Sequence, residues 1–256
     1  MQYTLCLDIG ATKIAGALIN KEAGISHYLQ IPTQAKKNNK IILNNIFFII
    51  NQIIKNVKIK SINLSIAGQI DYKKGIIIKS PNFQQNFKNI NIKKILEKKY
   101  RLPVYIDNDA NCFALGEAIF GLGKKYNSVV GMTLGSGVGG GIVINKKIYH
   151  GKNNLAGEFG HMMIKNEIWE KNKQNIRKAE WLAQALNNIL HILDPDIIII
   201  GGGISNIPQI ITKTRQKLNK ILYYQALQYT PIVKSQLQIK ANLLGAYLLN
   251  NIWIKK

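Results

Sequence analysis

Asp8, Thr12 and Lys13 surround one glycine in the stretch DIGATK, directly after the apolar run YTLCL. A carboxylate placed there can hold Mg2+ directly or through water, a threonine can donate a hydroxyl hydrogen bond, and a lysine can neutralise phosphate charge. Asp8 also fits a simple turn cap. Two more glycine runs follow apolar stretches: LGSGVGGG, residues 134–141, and the GGG of IIIIGGGIS, residues 201–203. Glycine permits positive φ and lets a ligand approach the main chain, so such turns can aim several N–H groups at one anion. One run alone fits a tight hairpin or a close strand contact equally well. Three runs, each behind a strand-like segment, point to phosphate. The candidate set is Asp8, Gly10, Ala11, Thr12 and Lys13, then Thr133, Gly135, Ser136, Gly137, Gly139 and Gly140, then Gly201 and Gly202.

A second constellation closes the segment RLPVYIDND, where Asp107, Asn108 and Asp109 gather at a strand end, the usual place for ligands in α/β sheets. On spacing alone Asp109 fits the N-cap of a helix starting near Ala110. Carboxylates stand out here, because the chain holds 13 acidic against 35 basic residues. Asp8, Asp107, Asp109, Glu117, Glu158 and Asp194 all fall inside motifs, and Asp107 and Glu117 suit structural hydrogen bonds better than chemistry.

The elements that must position these groups follow from hydrophobic period and turn residues. YTLCLDIGATKIAGALIN predicts a hairpin turning at residues 10–13, and residues 38–55 predict a helix. SINLSIAGQI reads as one buried strand, KGIIIKS as a short strand, NIKKILEKKY as an amphipathic helix and RLPVYIDND as a strand. ANCFALGEAIFG then predicts a helix, NSVVGMTLG and GGIVINKKIYH strands, AEWLAQALNNILHIL a helix and DPDIIII a strand, with strand and helix signals at the end. KKNNK and KNEIWEKNKQN read as exposed loops. Each half opens with strand, glycine turn and strand, which predicts a duplicated α/β architecture.

The 256 residues suit two lobes of modest size. Runs such as IFFII are too short to cross a bilayer, and the first residues lack the basic and apolar pattern of a secretory signal. Cys6 and Cys112 fit buried positions in a reducing compartment and cannot by themselves make a zinc site, so a cytoplasmic protein without a membrane partner is expected. The net charge of +22 comes from scattered lysines, with only Arg101, Arg177 and Arg215 as arginines. A dedicated base reader clusters arginine. Weak sticking to polyanions is expected, but no specific nucleic-acid partner.

The paired turns resemble the phosphate-binding loops of the hexokinase, actin and Hsp70 fold. IDNDANCFALGEA, LGSGVGGGIVINKKIYHGKNNLAGEFGHM and ILDPDIIIIGGGIS carry the likeness further, to the ROK family of sugar kinases and within it to bacterial N-acetylglucosamine kinases. The resemblance covers most of the chain. It implies a two-lobed actin-like ATPase fold: a small lobe over residues 1–108, with a helix at about 241–254 packing back on it, and a larger lobe over 109–240, shortened after His161. It also implies ATP and Mg2+, a homodimer, Asp109 as catalytic base, and sugar contacts from Gly68, Asn82, Asn108, Asp109, Glu158 and His161. His161 equally fits a packing residue. The implied reaction makes N-acetylglucosamine 6-phosphate, with glucose or N-acetylmannosamine as alternative substrates and a noncatalytic binding relative as the alternative outside catalysis. Regulators of the family carry a DNA-binding segment before the body, whereas DIGATK begins here at residue 8.

Two departures stand out. Ala11 replaces the glycine usual in DIGGTK. After GH the family continues into a cysteine-rich zinc motif ending in a sugar-binding glutamate, but no cysteine follows Cys112 here. No structural zinc is expected, and Glu167, Glu170 and Glu180 are substitutes for that glutamate without motif support.

Overall fold

The first strand, YTLCLDI, is buried on both faces at Thr4, Leu5, Cys6, Leu7 and Ile9, although Thr4 and Asp8 on one face are polar. The computed structural model describes residues 2–55, 57–83, 87–171 and 173–254. The chain opens with β1 (Tyr3–Ile9), β2 (Lys13–Ile19), β3 (Ile25–Pro32), α1 (Asn39–Ile53), β4 (Ile59–Ile66), β5 (Gln69–Asp71), β6 (Ile76–Lys79), β7 (Lys88–Ile90), α2 (Ile92–Tyr100), β8 (Val104–Asn108) and α3 (Asp109–Phe120). It continues through β9 (Ser128–Leu134), β10 (Val138–Ile144), β11 (Lys147–Ile148), β12 (Met163–Ile164), β13 (Glu167–Ile168), α4 (Lys173–Ile176) and α5 (Ala179–Leu193). The last elements are β14 (Ile197–Gly201), α6 (Ile210–Leu218), β15 (Ile232–Lys234) and α7 (Ile239–Ile254). Two compact units result, residues 1–112 with 239–256 and residues 113–238.

Each unit is built on a five-stranded sheet with one topology, β3-β2-β1-β4-β8 in the first and β11-β10-β9-β14-β15 in the second. In both, the opening strand pairs antiparallel with the next and parallel with a later strand. The expected duplication is therefore present. The strand expected over SINLSIAGQI breaks at Ala67 and Gly68 into β4 and β5, because Gly68 has φ +130° and passes against the Lys79 carbonyl.

In the first unit α1 begins where the Asn38 side chain accepts the Ile41 N–H at 3.0 Å, and its Ile42, Ile46, Ile49, Ile50 and Ile53 form one buried stripe. That stripe, with Ile92 and Leu96 of α2, covers the face of β1 and β4 that carries Leu5, Leu7, Ile9, Ile62, Leu64 and Ile66. The alternate residues Thr4, Cys6 and Asp8 lie beside Ser61, Asn63 and Ser65 on the opposite face, which is polar. Helix α7 lies on that face, with the Asn63 Nδ2 donating to the Ala246 carbonyl at 2.7 Å. A Cβ on Gly245 would collide with the Cys112 carbonyl, so a larger residue would lift α7 away.

In the second unit KNEIWEKNKQN is exposed at Lys165, Asn166, Glu167, Ile168, Lys171 and Gln174, as expected, but it is not a plain loop. β12 and β13 form a hairpin whose two turn residues, Lys165 (φ 49°) and Asn166 (φ 63°), both take positive φ, as a two-residue hairpin turn requires. Trp169 follows at 0% exposure inside the core formed by Leu134, Val138, Phe159 and α5. The β10–β11 turn has the same form, Asn145 (φ 50°) and Lys146 (φ 63°). There the Lys146 Nζ lies within hydrogen-bond distance of the carbonyls of Ala118, Gly123, Lys124 and Tyr126, at 3.0, 3.2, 2.7 and 2.6 Å, which share its three hydrogens. An ammonium at a helix C-terminus satisfies carbonyls that have no helical partner and suits the negative end of the helix dipole. Replacing Lys146 by Met is expected to lower the unfolding free energy by about 1–3 kcal/mol, from stranded carbonyls. Urea unfolding measures it, and a change inside the extrapolation error contradicts this role.

Candidate active site

Strand β8 passes into α3 without a loop. The junction is held by Asn108, whose Oδ1 accepts the N–H groups of Ala110 at 2.8 Å and Asn111 at 3.2 Å, while its Nδ2 donates to the Gly68 carbonyl at 2.8 Å. Asn108 is thus the helix cap. Asp109, offered by its spacing as the cap, is instead the first helical residue, with Oδ1 3.0 Å from the Ala110 N–H. Asp107 holds the turn from below, its Oδ1 accepting the Asn108 N–H at 2.7 Å and the Asn111 Nδ2 at 2.9 Å. Its structural role is the one its position suggested. Asn108 retains one amide hydrogen for a ligand.

Asp8 is the penultimate residue of β1 in the same unit. Its Oδ1 accepts the Ser65 hydroxyl at 2.8 Å and the Asn242 Nδ2 at 3.1 Å. Burial pushes its carboxyl up from the usual range, and Ser65, Asn242 and Lys13 oppose that shift. The following turn is closed by the Gly10 N–H on the Lys13 carbonyl at 3.0 Å and pinned by the Thr33 hydroxyl on the Gly10 carbonyl at 2.6 Å. Thr12 and Lys13 are exposed, and Ala11 does not take positive φ, so a Cβ is accommodated there. Asn82 lies exposed in the turn after Ser80. Gly68 passes close to the Lys79 and Ser80 backbone of its own unit, which accounts for the absent side chain without a ligand.

The glycine run of the second unit divides between packing and open main chain. Gly140 lies inside β10, where a Cβ would strike the Phe159 ring and the Gly157 carbonyl, so its bareness seats the GEFGH segment. Gly139 pairs with Thr133 across β9 and β10. Gly201 faces the Phe113 ring, and Gly202 takes φ +83° against the Leu134 backbone. Gly135 and Gly203 have nothing within 4 Å of an added Cβ, and Ser136 between the strands is exposed.

Glu158, His161 and Glu170 gather beside this run. The His161 Nδ1 lies 3.3 Å from Glu158 Oε2 and its Nε2 3.4 Å from Glu170 Oε1. With a side chain 60% exposed, His161 is not a packing residue. Glu170 is fixed from behind: its Oε2 accepts the Val138 N–H at 3.1 Å, and a Cβ on Gly160 would come 2.6 Å from that oxygen. Glu167 and Glu180, the other substitutes, are engaged by Asn175 and Lys165.

The family follows from similarity to known proteins. The ROK family model matches residues 4–176 and 169–252. The chain belongs to the ROK family. A glucokinase of Thermotoga maritima is 24% identical over 94% of this chain and 94% of its own. An N-acetyl-D-glucosamine kinase of Citrobacter koseri is 27% identical over 84% of this chain and 88% of its own. The solved structure of a ROK glucokinase from Streptomyces griseus, in complex with glucose and AMPPNP, superposes with a TM-score of 0.82 at 23% identity, covering 97% of this chain and 99% of that one. The ROK fold is the duplicated α/β architecture of the hexokinase, actin and Hsp70 class. Because both glucokinases and N-acetylglucosamine kinases match, the narrower resemblance to the latter is not singled out.

In this ROK chain no three His, Cys, Asp or Glu side chains meet as a metal site among the described residues, and none of their helices is long and apolar enough to cross a membrane. Two residues were not legible as site components. Glu170 looked like one of several equivalent acids, although a tryptophan beside it in a polar stretch is a signal of anchoring. Asn242 carries no signal in so asparagine-rich a chain.

Burial raises the Glu158 carboxyl above its usual range, the neighbouring His161 opposes this, and Glu170 adds to it. Removing the imidazole therefore raises it further. His161→Gln is expected to move the Glu158 titration, followed by carboxyl 13C NMR, to higher pH, and an unchanged or lower midpoint contradicts the contact.

Proposed function

We propose that this ROK chain is an ATP-dependent sugar kinase acting on the 6-hydroxyl of a hexose or N-acetylhexosamine. The observation that carries the reading is the β8–α3 junction. With Asn108 as the cap, the Asp109 carboxylate stands at a strand end as the first residue of a helix, its Oδ1 3.0 Å from the Ala110 N–H, a position from which a carboxylate can take a hydroxyl proton.

The residues present in each unit suit the phosphates of a nucleoside triphosphate. In the first unit Thr12 and Lys13 are exposed beside a glycine turn; in the second Gly135 and Gly203 offer main chain that no side chain covers, and Ser136 is exposed. A single carboxylate such as Asp8 suffices for Mg2+, which keeps most of its shell as water and phosphate oxygen. When bound, MgATP supplies the phosphoryl group and screens its charge. In the first unit Lys13 would add positive charge to that screening and the exposed Thr12 hydroxyl would donate to a phosphate oxygen; in the second unit the exposed Ser136 hydroxyl offers a donor of the same kind. Asp109 accepts the proton of the sugar hydroxyl as its oxygen is phosphorylated, and Asn108 donates its remaining amide hydrogen to a neighbouring hydroxyl. In the second unit Glu158, His161 and Glu170 form a cluster of two carboxylates and an imidazole whose chemistry suits sugar hydroxyls. Both the glucokinase and the N-acetylglucosamine kinase relatives support this substrate class.

ADP release with MgATP and glucose, N-acetylglucosamine or N-acetylmannosamine tests the reading. At least one sugar is expected to give turnover, and Asp109→Asn is expected to reduce it by about 100- to 10,000-fold, the usual range for loss of a general base. Turnover that survives the substitution overturns the role of Asp109. No turnover from folded protein with any of the three overturns the substrate class.

A further inference from the structure

A buried interface between a helix and a sheet is normally apolar, but the face of β1 and β4 under α7 is a polar seam. Thr4, Ser61 and Asn63 are buried there, and Asn250 is buried on α7. Thr4 Oγ1, Ser61 Oγ, Asn63 Oδ1 and Asn250 Oδ1 have no hydrogen-bond partner among the described residues. Such atoms cost stability. Polar groups retained at a buried interface are best attested as devices that fix register.

The register is visible. Asn63 donates to the Ala246 carbonyl at 2.7 Å and approaches that of Tyr247 at 3.3 Å. Two residues further along β4, Ser65 lies 3.5 Å from the Asn242 amide nitrogen. Two strand residues span about 6.6 Å and four helical residues about 6 Å, so the 63–246 and 65–242 pairs align as one antiparallel match of helix on strand. The match delivers the Asn242 amide to one place: 3.1 Å from Asp8 Oδ1 and 3.4 Å from the Asp109 carbonyl.

We infer that Asn242 is a positioning residue, whose amide ties the Asp8 carboxylate at the end of β1 to the first turn of α3 and so sets the Asp109 base relative to Asp8. The inference rests on the kinase reading for its consequence, not for its geometry. Asn242 touches no reacting atom. It acts through Asp8 and through the backbone of Asp109, while Asn63 holds the same helix one turn away without touching either.

The test compares Asn242→Ala, Asn242→Asp and Asn63→Ala in the full chain, measuring kcat, sugar KM, the unfolding midpoint and, without ligands, amide hydrogen exchange over residues 107–113. Asn242→Ala is expected to lower kcat about tenfold, the scale of one lost hydrogen bond to a charged group, with sugar KM within about twofold. Exchange over 107–113 is expected to quicken. Asn242→Asp keeps the volume but turns an acceptor toward Asp8, and is expected to be as damaging or worse. Asn63→Ala is expected to lower the unfolding midpoint while leaving kcat within about twofold. Wild-type kcat in Asn242→Ala or Asn242→Asp overturns the inference, and so does an equal loss of kcat in Asn63→Ala, which would make the effect one of helix packing. If the wild type transfers no phosphoryl group, the kinase reading fails separately and exchange decides the bridge: unchanged rates in Asn242→Ala refute it, faster rates support it.

Discussion

The Asn108 side chain joins three parts of the first unit at the end of β8. Its oxygen takes the first N–H groups of α3, and its amide takes the Gly68 carbonyl at the break between β4 and β5. A helix that starts directly at a strand end has unpaired N–H groups and no loop to satisfy them. Asn108 satisfies those of Ala110 and Asn111 from the strand side, and the Asp109 carboxylate shares the Ala110 N–H. The Asn108 side chain also holds Gly68 in a conformation that ordinary residues rarely adopt, and the Ser80 hydroxyl fastens the neighbouring Ala67 carbonyl at 2.5 Å.

The second unit repeats the sheet but spends its glycines differently. Gly140 admits the GEFGH segment, Gly137 and Gly160 leave space for the Glu170 carboxylate, and Gly135 and Gly203 remain open. Glu170 reaches its place because Trp169, immediately before it, is buried in the core. A short hairpin and one indole thus hold the Glu170 carboxylate in place. The Val138 N–H fixes Glu170, and the His161 ring lies between it and Glu158. The Ser235 hydroxyl on Glu117 at 2.5 Å shows an acid of the same unit fully absorbed by structure.

Much of this was legible beforehand. The hairpin around DIGATK, the amphipathic helices α1, α2 and α5, and the paired sheets follow from hydrophobic period and glycine placement, because those signals report local conformation and burial together. The residues of the β8–α3 junction were visible, yet which of Asn108 and Asp109 caps the helix was not, since both have the oxygen a cap requires and only backbone placement separates them. KNEIWEKNKQN was read in part. Lys165 and Lys171 report exposure correctly, while Trp169 and Asn175 are buried, because one indole in a polar stretch is drawn into the core. Asn242 was invisible because its partners lie far away in sequence, at residues 8, 65 and 109.

Phosphoryl transfer to a sugar hydroxyl is the claim on which these assignments converge. Incubation of the protein with MgATP and a hexose labelled with 13C at carbon 6, followed by 13C and 31P NMR, observes the bond itself. The account predicts that the carbon 6 resonance of glucose or N-acetylglucosamine acquires coupling to phosphorus as ADP accumulates. Unchanged sugar resonances, with ATP intact or merely hydrolysed to phosphate, would contradict it.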